Sequence, residues 1–126
     1  MKYIVDTHIL IWFLEDSEKL DRGIKELLLD TQNQIFVSQA SLWEMAIKIS
    51  LGKLKIPMLL EELLFHLERV GWSVLSIKNA DIVKLLTLPY VHSDPFDRII
   101  VCQCKRYGYG LITHDKAFEG YGVEVV

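Results

Sequence analysis

Short apolar segments alternate with segments of helical periodicity along the whole chain, and this alternation constrains the fold more than any other feature. Short, mostly apolar runs are typical of strands buried on both faces of a sheet. We predict strands over residues 2–5, 35–37, 72–77, 110–113 and 123–126. Strands that alternate with helices indicate a parallel three-layer α/β domain, here with a central sheet of about five strands flanked by helices.

The segments between the predicted strands carry helix signals. Apolar residues at positions 20, 24, 27 and 28 predict a helix over residues 20–29. Pro57 suits a first helical turn and Gly71 a helix end, so we predict a helix over residues 57–70. A further helix over residues 80–88 stops before Pro89.

The segment Asp94-Pro95-Phe96-Asp97 has the pattern of a helix start, with an N-cap, a first-turn proline and an acidic third position. We predict a helix from there to about residue 107. Cys102 and Cys104 lie within it, and residues two apart on a helix point to different sides. They are therefore interpreted as buried apolar groups rather than a disulfide or a metal site.

Length and composition indicate one globular domain. The chain has 126 residues, of which 51% are hydrophobic, and it shows no repeat or linker. No apolar run reaches the roughly 18 residues of a membrane span, and no signal peptide is evident, so we expect a cytoplasmic protein. The net charge of −3 argues against sequence-independent coating of nucleic acid, but not against an enzyme with an acidic metal centre and a locally basic rim.

Short acidic motifs stand where hydrophobic segments stop. They are Val5-Asp6-Thr7, Ser41-Leu42-Trp43-Glu44, Asp94-Pro95-Phe96-Asp97-Arg98 and Thr113-His114-Asp115. Functional groups of open parallel α/β sheets gather outside the carboxyl ends of the strands. Carboxylates that meet there repel one another unless a cation lies between them, and hard oxygen donors suit Mg²⁺ or Mn²⁺. The motifs therefore point to a metal-dependent acidic active site.

Structural alternatives exist for each acid. Asp6 or Thr7 could cap a helix that begins near His8. Glu44 lies in an apolar helical segment and needs a partner or a cation, and an i,i+4 pair with Lys48 would supply the partner. Ser41, one turn earlier, could orient the Glu44 carboxylate.

The acids nearer the C-terminus have alternatives as well. Asp94 is best interpreted as an N-cap, whereas the helix dipole favours the ionised, metal-binding form of Asp97. Asp115 could be a turn residue, and Thr113 could bond either a carboxylate or the backbone. The histidines His8, His92 and His114 lack the spacing of helical zinc ligands, so none is assigned to metal, and Trp12, Phe13 and Trp43 are expected in the core.

In these motifs the chain resembles PIN-domain proteins and, more closely, the VapC toxins of bacterial type II toxin–antitoxin systems. The resemblance spans nearly the whole chain and is most specific in Asp94-Pro95-Phe96-Asp97-Arg98 and in Trp43-Glu44 with Lys48. Leu51-Gly52-Lys53-Leu54 belongs to it too. Ser93 departs from it, because related sequences often carry a basic residue there.

The resemblance implies a Mg²⁺- or Mn²⁺-dependent endoribonuclease that forms dimers and is neutralised by a cognate VapB antitoxin. Its acidic site would be Asp6, Glu44, Asp97 and Asp115, which would hold the metal, with Thr113 in support.

From the residues themselves we add further candidates. Thr7 and Ser41 are supporting residues, and Lys48, Lys53 and Arg98 are candidate phosphate contacts, with Lys105 and Arg106 as weaker ones. Two other functions stay open, a catalytically silent binding module on a PIN scaffold and a receiver-like phosphotransfer domain. The second lacks the pair of acids expected after the first strand, because Asp6 is followed by Thr7.

Overall fold

A parallel sheet of four strands lies at the centre of the computed structural model, which describes residues 1–126. The strands are β1 (Lys2–Val5), β2 (Gln34–Ser38), β3 (Ser73–Leu75) and β4 (Gly110–Ile112). Their order across the sheet is β3-β2-β1-β4, and all neighbouring pairs are parallel. The predicted parallel α/β architecture is confirmed.

The predicted fifth strand is reduced to a single bridge. Residues 123–126 meet β4 only through the parallel pair of Leu111 with Val125. Backbone bonds from Leu111 N–H to the Glu124 carbonyl and from Val126 N–H to the Leu111 carbonyl hold the segment in place.

Six α-helices connect the strands: α1 (Thr7–Leu14), α2 (Arg22–Leu29), α3 (Gln39–Ser50), α4 (Leu60–Arg69), α5 (Asn79–Lys84) and α6 (Pro95–Tyr107). Short 3₁₀ turns follow at Leu85–Thr87 and Lys116–Tyr121. None of the helices combines the length and apolarity that a membrane crossing requires.

Several predicted helix boundaries differ from the structure, and the two largest differences lie near prolines. Pro57 does not open α4, which starts at Leu60 after an extended Leu59. The segment predicted as one helix over residues 80–88 becomes α5 and a tighter 3₁₀ turn, and Leu88 is already extended before Pro89. A residue that precedes proline is sterically excluded from helical geometry, so the helix must end there.

Side chains of β1 alternate between two hydrophobic clusters, one on each face of the sheet. Val5 packs with Ile9, Leu28 and Leu63 on one face, and Ile4 packs with Ile100 on the other. This alternation is a consequence of strand geometry and gives the domain its three layers. Cys102 and Cys104 are free and buried, as predicted, and burial raises the pKa of Cys104 to about 12.

The order of the strands creates a switch point beside β1. The chain runs outward from β1 through β2 to β3 and then crosses to β4 on the other side of β1. The crevice between the carboxyl ends of β1 and β4 is where open α/β sheets bind their ligands. Asp6 follows β1 at this place, and Thr113 and Asp115 follow β4.

Candidate acidic active site

Asp6 stands at the carboxyl end of β1 and is not used as a side-chain cap. Its backbone occupies the N-cap position of α1, but its carboxylate makes no capping hydrogen bond. Oδ2 accepts a bond of 2.8 Å from the Thr113 hydroxyl, whereas Oδ1 is buried without a partner. Desolvation by burial raises the pKa of Asp6. A buried carboxylate with an unpaired oxygen is costly unless a cation or a proton is supplied.

Thr113 joins the ends of β1 and β4. Its hydroxyl donates to Asp6 and accepts the backbone N–H of Asp115 at 3.0 Å. With a single hydrogen and two acceptor lone pairs, the hydroxyl can make both bonds at once. Thr113 therefore ties the Asp6 carboxylate to the backbone of Asp115, which is the kind of supporting role that the resemblance implies.

Thr7 and Ser41 form a buried pair beneath the acidic residues. Their hydroxyl oxygens lie 2.8 Å apart and link α1 to α3. Ser41 is thus engaged by Thr7 and makes no hydrogen bond to Glu44, contrary to the expectation that it orients this carboxylate. The pair acts at the junction of the helices that carry Asp6 and Glu44.

The two oxygens of Glu44 lie in different surroundings. Oε2 accepts a bond of 2.8 Å from Lys48 Nζ, so the predicted i,i+4 pair is present. Oε1 is buried and has no partner. The hydrogen bond to Glu44 raises the pKa of Lys48, and the charges of Asp94 and Asp97 add to this effect. The i,i+4 pair therefore satisfies only half of the Glu44 carboxylate.

Asp94 and Asp97 have separate tasks at the start of α6. Oδ1 of Asp94 accepts the backbone N–H groups of Phe96 and Asp97 at 2.8 and 3.1 Å, which makes it the predicted N-cap. Burial, with smaller contributions from the charges of Asp94, Asp6 and Glu44, raises the pKa of Asp97 to about 7, although the charge of His92 opposes this rise. These couplings place Asp97 electrostatically among the other acids.

Asp115 is held from two sides. Oδ1 accepts the backbone N–H of Ala117 at 2.9 Å and so caps the following 3₁₀ turn. Oδ2 lies 2.8 Å from His92 Nε2. The hydrogen bond from His92 lowers the pKa of Asp115. The alternative of a turn residue is therefore present in the structure, together with a contact that the sequence did not suggest.

A cleft of about 340 Å³ brings three of the four predicted acids together. It is lined by Asp6, His8, Trp12, Asp97, His114, Asp115 and Phe118. Glu44 does not line it, although its charge raises the pKa values of Asp6 and Asp97. No three acidic, histidine or cysteine side chains of the chain are grouped closely enough to form a ready metal site.

The donor chemistry of the site nevertheless fits a hard divalent cation. Asp6 and Glu44 each keep one buried oxygen without a hydrogen bond, and Asp6 and Asp97 have raised pKa values. A cation would satisfy these oxygens and favour the ionised carboxylates. Because the acids are not yet grouped as ligands, binding would require small movements of their side chains.

The basic residues predicted to contact phosphate do not all lie where such a contact could form. Lys48 lies at the acids, and Lys53 is exposed in the turn that follows the end of α3. Arg98 is buried, and its guanidinium donates to the carbonyls of Pro89 and Leu88 and stacks on Tyr90. We therefore correct the assignment of Arg98 as a phosphate contact, because its donors are used inside the fold.

Arg106 and Trp43 also lie elsewhere than the sequence predicted. Arg106, a weaker phosphate candidate, pairs with the fully buried Asp81. Trp43 was expected in the core, but 57% of it is exposed and it touches Phe96 edge-on. Phe13 does stack on Trp72, in the core as expected.

Sequence reasoning missed the aromatic and histidine residues around the cleft. His8 and His114 stand at its edge, and both rings lie against Trp12. His92 contacts Asp115 and Tyr121 from behind it. The sequence offered one sign of their place at the site, because His8 and His114 each lie within two residues of a predicted acid.

The fold and the site together define a parallel three-layer α/β protein with an acidic cleft at the switch point of its sheet. A family model for the PIN domain matches residues 3–124. The chain belongs to the PIN-domain family, whose members are generally nucleases. Among the curated proteins, none matches this chain.

Solved structures show the same fold at low sequence identity. A chain in the crystal structure of VapBC2 from Rickettsia felis, bound to a DNA fragment from the promoter, has 16% identity and a TM-score of 0.74. The match covers 100% of this chain and 98% of that one. A chain of VapBC-1 from nontypeable Haemophilus influenzae has 20% identity and a TM-score of 0.66. The match covers 100% of this chain and 97% of that one. The PIN domain endonuclease Utp24 has 16% identity and a TM-score of 0.52, and the match covers 94% of this chain and 74% of that one.

Proposed function

We propose that this PIN domain is a Mg²⁺- or Mn²⁺-dependent endoribonuclease that hydrolyses RNA phosphodiester bonds. The observation that carries the proposal is the pair of buried, unpartnered carboxylate oxygens, Asp6 Oδ1 at the switch point of the sheet and Glu44 Oε1 on α3. A binding module has no need of such oxygens, which destabilise the fold until a cation satisfies them.

The acids Asp6, Glu44, Asp97 and Asp115 would hold the metal. When bound, a divalent ion supplies an activated water and neutralises charge on the phosphodiester during in-line displacement. Thr113 keeps the carboxylate of Asp6 in place by its hydrogen bond. Lys48, Lys53 and the weaker candidate Lys105 are the remaining candidates for RNA phosphate contacts, and such contacts position the backbone without reading sequence.

A cleavage assay with purified protein tests this function. We expect RNA cleavage with Mg²⁺ or Mn²⁺, products with a 5′-phosphate and a 3′-hydroxyl, and no cleavage in EDTA. Asp6→Asn should stay folded and inactive. Thermal unfolding gives an independent measure, because a ligand that binds only the folded state raises the midpoint.

The absence of a ready metal site favours one other candidate, a catalytically silent binding module on the PIN scaffold. The same experiment separates the two. If Mn²⁺ leaves the unfolding midpoint unchanged and no RNA is cut at any metal concentration, the silent module is the better description.

We further propose that the chain is the toxin of a VapBC-type pair and binds a cognate VapB-type antitoxin. Apolar residues stand at every fourth position along α3 and at its C-cap and face solvent: Trp43 and Ile47 on the helix and Leu51 at the cap are 57%, 38% and 61% exposed. Exposed apolar patches of this kind commonly mark interfaces. The stripe begins next to Glu44, so a bound antitoxin segment would lie beside the acids.

Expression in cells tests the toxin role separately from the chemistry. Wild-type protein alone should arrest growth, and co-expression of a small neighbouring reading frame should restore it. Trp43→Lys should stay toxic and escape neutralisation, whereas the matched control Leu29→Lys, on α2, should still be neutralised. Harmless overexpression of an RNA-cleaving protein would favour a housekeeping nuclease.

A homodimer is the third part of the proposal. Exposed apolar side chains also cluster on α5 and beyond it, at Ile82, Val83, Leu86 and Tyr90. Light scattering should give the mass of a dimer, and Leu86→Glu should give a monomer. A monomeric wild-type protein at all concentrations would contradict this part alone.

A further inference from the structure

His92 has a defined hydrogen-bond partner at each ring nitrogen. Nδ1 lies 3.0 Å from the hydroxyl of Tyr121, and Nε2 lies 2.8 Å from Oδ2 of Asp115. The backbone N–H of His92 also donates to the Tyr121 hydroxyl, at 2.7 Å. The three residues therefore form one chain of hydrogen bonds that ends on an acid of the cleft.

The Tyr121 hydroxyl determines which nitrogen of the neutral imidazole carries hydrogen. One lone pair of the hydroxyl accepts the His92 backbone N–H, and its single hydrogen has Nδ1 as its acceptor. Nδ1 is then unprotonated, so Nε2 carries the hydrogen and donates to Asp115. An Nδ1–H tautomer would leave the buried tyrosine hydroxyl without an acceptor and would place two acceptors, Nε2 and a carboxylate oxygen, face to face.

Packing holds the ring in this orientation. The imidazole stacks on Phe118 with a centroid distance of 4.3 Å and lies nearly parallel to the ring of Tyr121 at 5.5 Å. Its side chain is only 14% exposed. The donor at Nε2 is therefore directed at Asp115 by groups that cannot easily turn.

Asp115 needs such a restraint more than the other acids do. Its side chain is 47% exposed, whereas that of Glu44 is 7% exposed. The bonds from Ala117 N–H and His92 Nε2 occupy one lone pair on each oxygen and fix the plane of the carboxylate. The remaining lone pairs stay available at the edge of the cleft.

We propose that His92, held in its Nε2–H tautomer by Tyr121, is a positioning residue that orients the Asp115 carboxylate for a divalent cation in the acidic cleft. This inference rests on the proposed function. Hydrogen bonds behind metal ligands fix their orientation, and their loss typically weakens metal affinity by about 10- to 100-fold.

The first experiment reads the tautomer in the metal-free protein. Nitrogen-15 NMR of the His92 ring should show an unprotonated Nδ1 and a protonated Nε2 at a pH where the ring is neutral. Tyr121→Phe, which keeps the buried ring, should give a mixture of tautomers. A neutral His92 with hydrogen on Nδ1 in the wild-type protein would overturn the proposal.

The second experiment measures Mn²⁺ affinity from the electron paramagnetic resonance of free Mn²⁺. His92→Phe keeps the stacking ring but has no donor, so we expect binding weakened by about 10- to 100-fold. His92→Gln places an amide nitrogen as many bonds from the backbone as Nε2 and should restore part of the affinity. His92→Asn has an amide nitrogen that reaches only as far from the backbone as Nδ1, so it should not restore the affinity.

The outcomes separate this inference from the proposed function. Equal Mn²⁺ affinity in the wild type and in folded His92→Phe would overturn the role of His92, while metal-dependent RNA cleavage would still stand. If wild-type protein binds Mn²⁺ with the expected order of variants but cuts no RNA, the positioning role holds and the nuclease proposal fails. If Tyr121→Phe does not fold, the His92 series decides the question alone.

Discussion

The hydroxyl of Thr113 donates a hydrogen bond of 2.8 Å to Oδ2 of Asp6, although 107 positions separate the two residues in the chain. The bond joins the carboxyl ends of β1 and β4, the two strands that flank the switch point. Because the same hydroxyl accepts the backbone N–H of Asp115, one side chain ties the Asp6 carboxylate to the backbone that follows β4.

Replacing Thr113 by valine should therefore disturb both acids without changing the volume of the core. Thr113→Val leaves a carboxylate oxygen and a backbone N–H without their partner, and we expect a loss of about 1–3 kcal/mol in the free energy of unfolding. RNA cleavage should fall strongly. Thr113→Ser, which keeps the hydroxyl, is the matched control for urea unfolding and cleavage. Wild-type cleavage by Thr113→Val would remove Thr113 from the site.

Asp94 and Asp97, three residues apart, should respond differently to the same substitution. Asp94→Asn should change stability by less than about 1 kcal/mol, because asparagine caps helices about as well as aspartate. Asp97→Asn should abolish most cleavage while the protein stays folded. Circular dichroism melts and initial cleavage rates provide the comparison. Equal loss of activity at unchanged stability would show that Asp94 has a catalytic task as well.

The raised pKa of Asp97 predicts how metal-free stability depends on pH. An unfolded aspartate ionises near 3.8, whereas burial raises the pKa of Asp97 to about 7 in the folded state. Between these values the folded protein binds a proton that the unfolded chain has released, so the free energy of unfolding falls as pH rises. The stabilisation of the folded protein by this bound proton is complete below pH 3.8 and is lost as the pH rises through about 7.

Urea unfolding in EDTA at several pH values between 4 and 7 measures this slope. The raised pKa of Asp6 contributes in the same direction, and the lowered pKa of Asp115 acts in the opposite direction only at more acidic pH. Asp97→Asn should therefore show a shallower decline than the wild type. Two parallel stability curves would contradict the pKa of Asp97.

Lys48 is the cation that the metal-free protein already holds at the acids. Lys48→Met should lower metal-free stability by about 1–3 kcal/mol, because the mostly buried Glu44 loses its partner. The stabilisation by Mn²⁺, measured as the shift of the unfolding midpoint, should be larger than in the wild type because no lysine competes. Glu44→Gln is the control and should lose this stabilisation. A smaller Mn²⁺ shift in Lys48→Met would mean that Lys48 does not compete with metal.

Local sequence determined most of the elements and some of their ends. β1, the cap at Asp94 and the stop of α6 at Gly108 follow from residues within a few positions of each other, because strand burial, capping and left-handed glycine geometry are local effects. The meeting of Asp6 and Asp115 could also be predicted from the sequence. Each follows a strand, and the carboxyl ends of parallel strands share one edge of the sheet.

Only the tertiary structure decided which partner each side chain meets. Ser41 bonds to Thr7 and not to Glu44, Arg98 turns inward to backbone carbonyls, and Trp43 stays at the surface. The contact of His92 with Asp115 likewise joins segments that the sequence keeps apart. These choices depend on how α1, α3 and α6 pack across the sheet, and that packing brings together side chains whose separation in the chain carries no local signal.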